Sequence, residues 1–309
     1  MKTIPLGSSE LRSSRLAYGC WRLADRGMTP AASRAAVVAA IEAGYTLFDH
    51  ADIYGEGRAE TVFGQILTEL PGAREGMLLA SKCGIRRPGD PVAGAPYRYD
   101  FSAEHILRSC EESLRRLGVD HLDLYQLHRP DFLMDPAEVA GAFAKLREAG
   151  KVREFGVSNF KPSQVAALQR ACPMRLVVNQ VEISLANPAC VEDGTLDHCL
   201  AERLTPLAWS PLGAGLLGAG ARRLLPAQEA YAGRVGPIVE AVDALAAERG
   251  LPRAAVALGW LLRHPSGIIP LVGTTDPGRI REAARAEEAA LSREDWYRLY
   301  EPARGQRLP

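Results

Sequence analysis

The sequence predicts a closed barrel of eight parallel strands, each followed by a helix. Apolar runs of strand length alternate along the chain with amphipathic segments of helix length. Most of the runs are apolar throughout, which is typical of parallel strands that are buried on both faces. Because eight such units fill a chain of 309 residues, we predict a (β/α)₈ TIM barrel that forms a single domain over residues 1–309.

The individual elements follow from the apolar runs and from helix-capping signals. Ser102 and Gly118 bracket the third helix as N-cap and C-terminal stop, and Asp135 caps the fourth. The predicted strands are residues 16–19, 46–50, 77–83, 122–128, 153–158, 177–182, 205–210 and 268–273. The predicted helices are residues 30–44, 58–70, 102–118, 135–150, 161–172, 191–203, 235–250 and 276–289.

Four segments lie outside this alternation. Residues 3–15 predict a short N-terminal β-hairpin that plugs the bottom of the barrel. Residues 252–265 and 292–303 predict two extra helices in the C-terminal part of the chain. The stretch of residues 84–100 is rich in Gly and Pro and has no regular period, so we predict a long covering loop there.

The composition of the chain argues against nucleic acid, membranes and metal ions as binding partners. Lys and Arg together number 37, as do Asp and Glu, so no net field favours nucleic acid or an acidic membrane surface. The N-terminus lacks a signal-peptide core, and no run approaches the ~18 apolar residues of a membrane span, so we expect a cytoplasmic protein. The six cysteines show no metal-ligand spacing, which predicts free thiols and no metal site. We expect a monomer or a weak homo-oligomer.

Four polar residues at predicted strand ends suggest proton-transfer chemistry. In such barrels the active site lies at the C-terminal ends of the strands, where Asp49, Tyr54, Lys82 and His128 would meet. A phenol is a weak acid with a pKa near ~10, and a neighbouring ammonium lowers that pKa. An aspartate would keep the lysine charged, and a histidine would bind the same substrate oxygen. Carbonyl reduction needs such a donor, and a nicotinamide must then supply the hydride.

The motifs FDHADIYG, ASKCG, LYQLHRPD, FGVSNF, NQVEIS and WSPLG occur in this order and resemble the aldo-keto reductase superfamily. The similarity extends over essentially the whole chain and is greatest to the bacterial oxidoreductase branch, in which the histidine lies in an LHRPD context. The resemblance implies that Tyr54 is the general acid, and the base in the reverse direction. It also implies that Lys82 lowers the pKa of Tyr54, that Asp49 pairs with Lys82, and that His128 orients a small-molecule carbonyl substrate.

The resemblance also implies a cofactor site. The family pattern usually has a lysine after strand 8, whereas GTTDPGR offers only Arg279, whose planar fork suits a 2′-phosphate. NADP(H) is therefore the predicted cofactor, and use of NAD(H) as well remains open. The implied contacts are Ser158, Asn159 and Gln180 to the nicotinamide amide, Trp209 stacked on its ring, Ser210, Leu212 and Gly213 along the pyrophosphate, Gly273, Thr274, Thr275 and Arg279 at the adenosine ribose and 2′-phosphate, and Glu282 at adenine.

Several residues keep two interpretations. Trp21, Tyr97 and Tyr99 could line the substrate pocket. Cys83 follows Lys82 and could be redox-sensitive, although a buried apolar role is the more ordinary one. The pair Arg129 and Asp131 could be bonded to each other, which would give it a structural role.

Two other functions compete with carbonyl reduction. A lyase or aldolase would use Lys82 as a Schiff-base amine, but a lysine beside Asp49 should be charged, whereas imine formation needs the neutral amine. A nucleotide-binding sensor subunit would bind the cofactor and turn over little. The sequence does not identify the physiological substrate.

Overall fold

The computed structural model describes residues 1–218 and 232–308, and a closed barrel of eight parallel strands lies at its centre. The strands are β1 (Thr3–Pro5), β2 (Arg12–Ser14), β3 (Ala17–Gly19), β4 (Leu47–Asp49), β5 (Leu78–Cys83), β6 (Ile85–Arg86), β7 (Arg98–Tyr99), β8 (Leu122–Leu127), β9 (Val152–Ser158), β10 (Leu176–Glu182), β11 (Thr205–Trp209) and β12 (Ile269–Val272). The barrel order is β3-β4-β5-β8-β9-β10-β11-β12, and β12 pairs back onto β3. The predicted fold is therefore confirmed.

The helices surround the barrel. They are α1 (Pro30–Glu42), α2 (Arg58–Thr68), α3 (Ala103–Leu117), α4 (Pro136–Glu148), α5 (Pro162–Ala171), α6 (Thr195–Glu202), α7 (Ala232–Arg249), α8 (Arg253–Arg263), α9 (Pro277–Ala284) and α10 (Arg293–Arg304). The predicted caps are present, because Ser102 accepts from the His105 N–H, Asp135 accepts from the Ala137 N–H, and Gly118 ends α3 in the left-handed region. Helices α8 and α10 are the two predicted extra helices.

The segment of residues 84–100 differs from the prediction. It contains the antiparallel pair β6–β7, whereas the sequence indicated only an irregular loop. Arg86 holds the segment together by donating to Asp100 at 2.9 Å and to Asp90 at 3.1 Å. Strands of two residues are too short to show a hydrophobic period, which explains why the pattern missed them.

The N-terminal hairpin β1–β2 closes the barrel bottom, as predicted. Leu6, in its turn, is fully buried within the apolar cluster that fills the barrel interior, where it packs with inward residues such as Leu47 and Leu124. The Gly7 N–H donates to the Thr205 hydroxyl at 2.7 Å. Gly7 has φ +55, and a Cβ there would lie 2.4 Å from a carbonyl oxygen of the barrel wall, so the turn requires glycine.

Above this apolar layer the barrel interior becomes polar. Side chains alternate along a strand, so the position two residues beyond each inward apolar residue also points inward. On four strands that position is occupied by Asp49, Lys82, Gln126 and Gln180. All four are buried, and they form the floor of the C-terminal mouth.

The described residues contain no helix with the length and apolar character of a membrane span. They also contain no group of three or more His, Cys, Asp or Glu side chains arranged to hold a metal ion.

Leu6→Ala should lower the free energy of unfolding by about 2–5 kcal/mol, because it leaves a cavity in the closed barrel bottom. Urea titration would measure the change. Leu200→Ala, at a position 44% exposed on α6, is the matched control and should cost less than ~1 kcal/mol. Equal losses in the two variants would show that Leu6 does not seal the barrel.

Candidate active site

Lys82 is the centre of the polar floor. Its fully buried ammonium donates to Asp49 Oδ2 at 2.6 Å, to the His50 carbonyl at 2.7 Å and to the Tyr54 hydroxyl at 3.2 Å. A lysine ammonium has three N–H donors, so all three are used. The tyrosine predicted as proton donor is thereby held at a defined distance from a fixed positive charge.

Asp49 is held from a second side. Its Oδ1 accepts from the Gln180 amide at 2.9 Å and from the Gln126 amide at 3.5 Å, while Oδ2 binds Lys82. A buried ion pair is tolerated where further hydrogen bonds satisfy the remaining lone pairs. Four strands of the barrel, β4, β5, β8 and β10, therefore contribute to one network.

The ionisation of Lys82 follows from this network. Burial by itself would lower its pKa, but Asp49 and Tyr54 together raise it above the ordinary lysine value. Lys82 is consequently an ammonium at neutral pH. A Schiff-base nucleophile must be deprotonated, so the structure disfavours the lyase alternative.

Tyr54 lies half-buried at the mouth, where burial and charge act on its pKa in opposite directions. Burial is the largest influence and raises the pKa of Tyr54 above its ordinary value, while Lys82 lowers it and Asp49 raises it. The contribution of Lys82 has the predicted sign, and enclosure of the phenol outweighs it. Tyr54 is therefore a neutral phenol that retains its proton.

His128 follows β8 and stands beside Tyr54. The two ring centroids are 5.8 Å apart in an edge-to-face arrangement. Burial, Lys82 and Arg129 hold the pKa of His128 well below its usual range, so the imidazole is neutral. A neutral imidazole donates from one nitrogen and accepts at the other, and Nδ1 is buried without a partner among the described residues.

A cavity of about 700 Å³ opens above this floor. It runs from Tyr54 and His128 past Trp209 to Arg279 and Glu282, the positions that the family resemblance associates with the adenosine end. A cavity of this size is typical of sites for cofactors and small ligands. The predicted site residues that line it are Trp21, Asp49, Tyr54, His128, Ser158, Asn159, Gln180, Trp209, Ser210, Leu212, Gly213, Gly273, Thr274, Arg279 and Glu282.

A chain of hydrogen bonds fixes the side chains in the middle of the cavity. The Trp209 indole N–H donates to Asn159 Oδ1 at 3.0 Å, and the Asn159 amide donates to the Ser158 hydroxyl at 2.8 Å. The same amide donates to the His128 carbonyl at 3.1 Å, and Ser158 donates to the Gln180 carbonyl at 2.8 Å. The indole ring is therefore fixed relative to the strand ends that carry the amide-binding candidates.

The backbone after β11 turns tightly along the cavity. The Gly213 N–H donates to the Ser210 carbonyl at 2.8 Å, and Ser210 and Gly213 have φ values of 50 and 56. A Cβ added to Gly213 would lie 3.0 Å from the Ala186 Cβ. This close-packed turn leads into residues 219–231, which lie outside the described residues.

Four predicted site residues do not line the cavity. Lys82 lies beneath it, and Thr275 is half-buried next to the lining residue Thr274. Tyr97 and Tyr99, which could have lined the substrate pocket, pack against each other with 5.9 Å between ring centroids. Tyr99 also contacts the exposed ring of Phe132 at 6.4 Å, so this aromatic group belongs to the outer surface of the covering segment.

The structure adds cavity residues that the sequence reasoning missed. Arg22 and Glu182 line the cavity, although neither was assigned a role. Their positions directly after β3 and at the end of β10 were the available signal. Arg129 lines it as well and does not bond to Asp131, which accepts instead from the backbone N–H groups of Phe101 and Leu133.

All six cysteines are free and buried. Cys83 is fully buried, and burial raises the pKa of its thiol well above the ordinary value. Because the thiolate is the reactive form, the structure favours the apolar packing role for Cys83.

Comparison with known proteins agrees with this geometry. The chain matches the aldo/keto reductase family over residues 15–302. It is 42% identical to a 6-dehydroglucose reductase of Novosphingobium aromaticivorans, covering 98% of this chain and 96% of that protein. It is 40% identical to a 6-dehydroglucose reductase of Agrobacterium fabrum, covering 97% of this chain and 98% of that protein. The solved structure of a glycerol dehydrogenase from Gluconobacter oxydans superposes with a TM-score of 0.85 at 27% identity, covering 97% of this chain and 94% of the other.

The fold and the relatives together define a barrel oxidoreductase that interconverts carbonyl and alcohol groups. The chain belongs to the aldo/keto reductase family.

Asp52, below the catalytic candidates, gives a test of the site's electrostatics. Its Oδ1 is buried without a partner among the described residues, and burial and Glu60 raise its pKa to about 7, against the opposing effect of Arg116. Between the unfolded pKa near ~3.9 and the folded pKa, the folded protein holds a proton that the unfolded chain has released. The contribution of Asp52 to stability is therefore present at low pH and is lost as pH rises through about 7.

The free energy of unfolding of Asp52→Asn, relative to wild type, should therefore be higher at pH 8 than at pH 5. We expect this difference to change by about 1–3 kcal/mol between the two pH values. Urea unfolding of wild type and variant at both pH values would measure it. Asp25→Asn, at an exposed position, is the control and should show no such dependence. A stability difference for Asp52→Asn that is the same at both pH values would rule out a protonated Asp52.

Proposed function

We propose that this chain catalyses the reversible reduction of an aldehyde or ketone to an alcohol with NADPH, and that Tyr54 supplies the proton. The observation that carries the proposal is the Tyr54 hydroxyl held 3.2 Å from the Lys82 ammonium at the mouth of the cavity. The reaction consumes one carbonyl compound, one NADPH and one proton, and yields one alcohol and one NADP⁺. When bound, the nicotinamide supplies the hydride.

The protein's own groups manage the proton. The carbonyl oxygen gains negative charge as reduction proceeds and receives the proton of the Tyr54 phenol, which is neutral and therefore able to donate. Lys82 then stabilises the phenolate left behind, and Asp49 keeps that ammonium charged and in place. The neutral imidazole of His128 would donate a hydrogen bond to the same oxygen and orient the carbonyl.

The cavity residues fit a nicotinamide dinucleotide. Ser158, Asn159 and Gln180 present amide and hydroxyl groups near the strand ends, and the fixed Trp209 indole offers a flat face for the nicotinamide ring. The turn at Ser210, Leu212 and Gly213 would follow the pyrophosphate. At the far end, Gly273, Thr274, Thr275 and Arg279 would hold the adenosine ribose and its 2′-phosphate, and Glu282 would contact adenine.

A sugar-derived aldehyde is the substrate class that the relatives suggest. Two proteins with at least 40% identity over nearly the whole chain are 6-dehydroglucose reductases. We therefore propose 6-dehydroglucose or a similar aldehyde, reduced in the cytoplasm. No observation in the structure specifically favours the sensor-subunit alternative, which would require tight NADPH binding with negligible turnover.

Tyr54→Phe should lower kcat for carbonyl reduction by about 100-fold or more, because it removes the hydroxyl that accepts from Lys82 and with it the general acid. NADPH oxidation with 6-dehydroglucose and with an activated aromatic aldehyde would measure the effect. The dissociation constant for NADPH, followed by quenching of tryptophan fluorescence, should stay within a few-fold of wild type. Full activity in Tyr54→Phe would remove Tyr54 from the mechanism, and tight NADPH binding without turnover by wild type on both substrates would support the sensor alternative.

Arg279→Met should raise KM for NADPH by about 10-fold or more and change KM for NADH much less, because a charge-assisted bond to the 2′-phosphate is lost. Steady-state kinetics with each cofactor would measure the two values. Arg281→Met is the matched control, since Arg281 lies on the same helix but pairs with Glu42 at 3.1 Å outside the cavity. Equal effects of Arg279→Met on the two cofactors would assign the 2′-phosphate to another residue.

A further inference from the structure

Arg129 lines the cavity beside the catalytic candidates and has no carboxylate partner among residues 1–218 and 232–308. It follows His128 at the end of β8, is half-buried, and places its guanidinium carbon 5.5 Å from the centroid of the Trp209 ring. Within those residues its side chain donates no hydrogen bond. Its N–H donors therefore remain available to a ligand that enters the cavity.

Glu182 complements Arg129 in the same part of the cavity. It ends β10, stands in register with Trp209 on β11, and lines the cavity. Burial raises the pKa of Glu182, while Asn187 and Arg129 act in the opposite direction, so the two charged groups influence each other without forming an ion pair. The cavity therefore presents a five-donor guanidinium and a carboxylate acceptor close to one indole ring.

Opposite charges lie together in the part of the cavity next to β8 and β10. Lys82 is offset by Asp49, and Arg129 is offset by Glu182, while the His128 imidazole is neutral. An anionic substrate would meet Glu182 as well as Arg129 and would gain little. A neutral molecule with several hydroxyl groups would use both, because each hydroxyl accepts from the guanidinium and donates to the carboxylate. If the molecule is a sugar ring, it also has an apolar face that can pack on an indole.

We propose that Arg129 and Glu182 form a hydroxyl-recognition pair that makes this enzyme selective for neutral polyhydroxylated aldehydes over plain aldehydes. The inference rests on the proposed carbonyl reduction and names the residues that would set its substrate class. Both residues are specificity-determining in this assignment, since neither is placed at the reacting carbonyl.

The test compares 6-dehydroglucose with propanal, an aldehyde without hydroxyl groups. The ratio of kcat/KM for 6-dehydroglucose to kcat/KM for propanal should fall about 10–100-fold in Arg129→Met, the loss expected for hydrogen bonds to a charged group. Glu182→Gln, which keeps the shape and removes the charge, should lower the ratio less. Arg129→Lys, which keeps the charge and loses the planar fork, should give an intermediate ratio.

Arg26→Met is the control, because Arg26 is exposed and does not line the cavity; its ratio should match wild type. An unchanged ratio in folded Arg129→Met and Arg129→Lys would overturn the proposed selectivity. In that case, turnover of propanal by wild type would still support the proposed carbonyl reduction. A raised dissociation constant for NADPH in Arg129→Met would overturn it by making Arg129 a cofactor residue. If wild type reduces neither aldehyde, the proposed function fails and this inference fails with it.

A second substrate pair separates a charged ligand from a polyol. Wild type should not prefer glyceraldehyde 3-phosphate over glyceraldehyde, because Glu182 opposes the added negative charge. A preference for the phosphorylated aldehyde that disappears in Arg129→Met would overturn the proposal in favour of an anion site.

Discussion

The buried ion pair between Lys82 and Asp49 is the interaction on which the site depends. Two charges removed from water are stable only when close and fully hydrogen-bonded, and here the separation is 2.6 Å. The remaining bonds come from the His50 carbonyl, Gln126 and Gln180. Because these groups lie on separate strands, the pair requires a closed barrel, and the hairpin that seals the bottom keeps that barrel interior filled.

This ion pair also decides which chemistry the other groups can carry out. A charged Lys82 disfavours imine formation, and the same charge acts together with burial to hold the pKa of His128 low and keep it neutral. Tyr54 receives two opposing influences, enclosure that raises its pKa and the ammonium that lowers it. The phenol thus retains its proton in the protein by itself, and the ammonium stabilises negative charge once that proton has left. Such an arrangement suits a general acid.

Much of the site could be predicted because parallel strands end at one edge. Asp49, Tyr54, Lys82 and His128 were predicted to meet on that ground and on the family resemblance, and the structure brings them together. The His50 carbonyl could not be predicted, since every residue has one and only the fold selects it. The effect of burial on the pKa of Tyr54 could not be predicted, because burial depends on packing. The predicted option of an Arg129–Asp131 pair failed because backbone N–H groups already satisfy Asp131.

The distribution of charge along the cavity connects the site to specificity. Next to β8 and β10, Arg129 lies near Glu182, so an anionic substrate would meet both charges, and the proposed selection would rest on hydroxyl geometry. At the other end Arg279 forms no ion pair within the described residues, and its fork suits a phosphate. The proposed cofactor phosphate and the proposed substrate hydroxyl groups would therefore meet different charged side chains within one cavity. Trp209 lines the same cavity and is fixed by its hydrogen bond to Asn159, so both proposed ligands would meet a rigid indole ring.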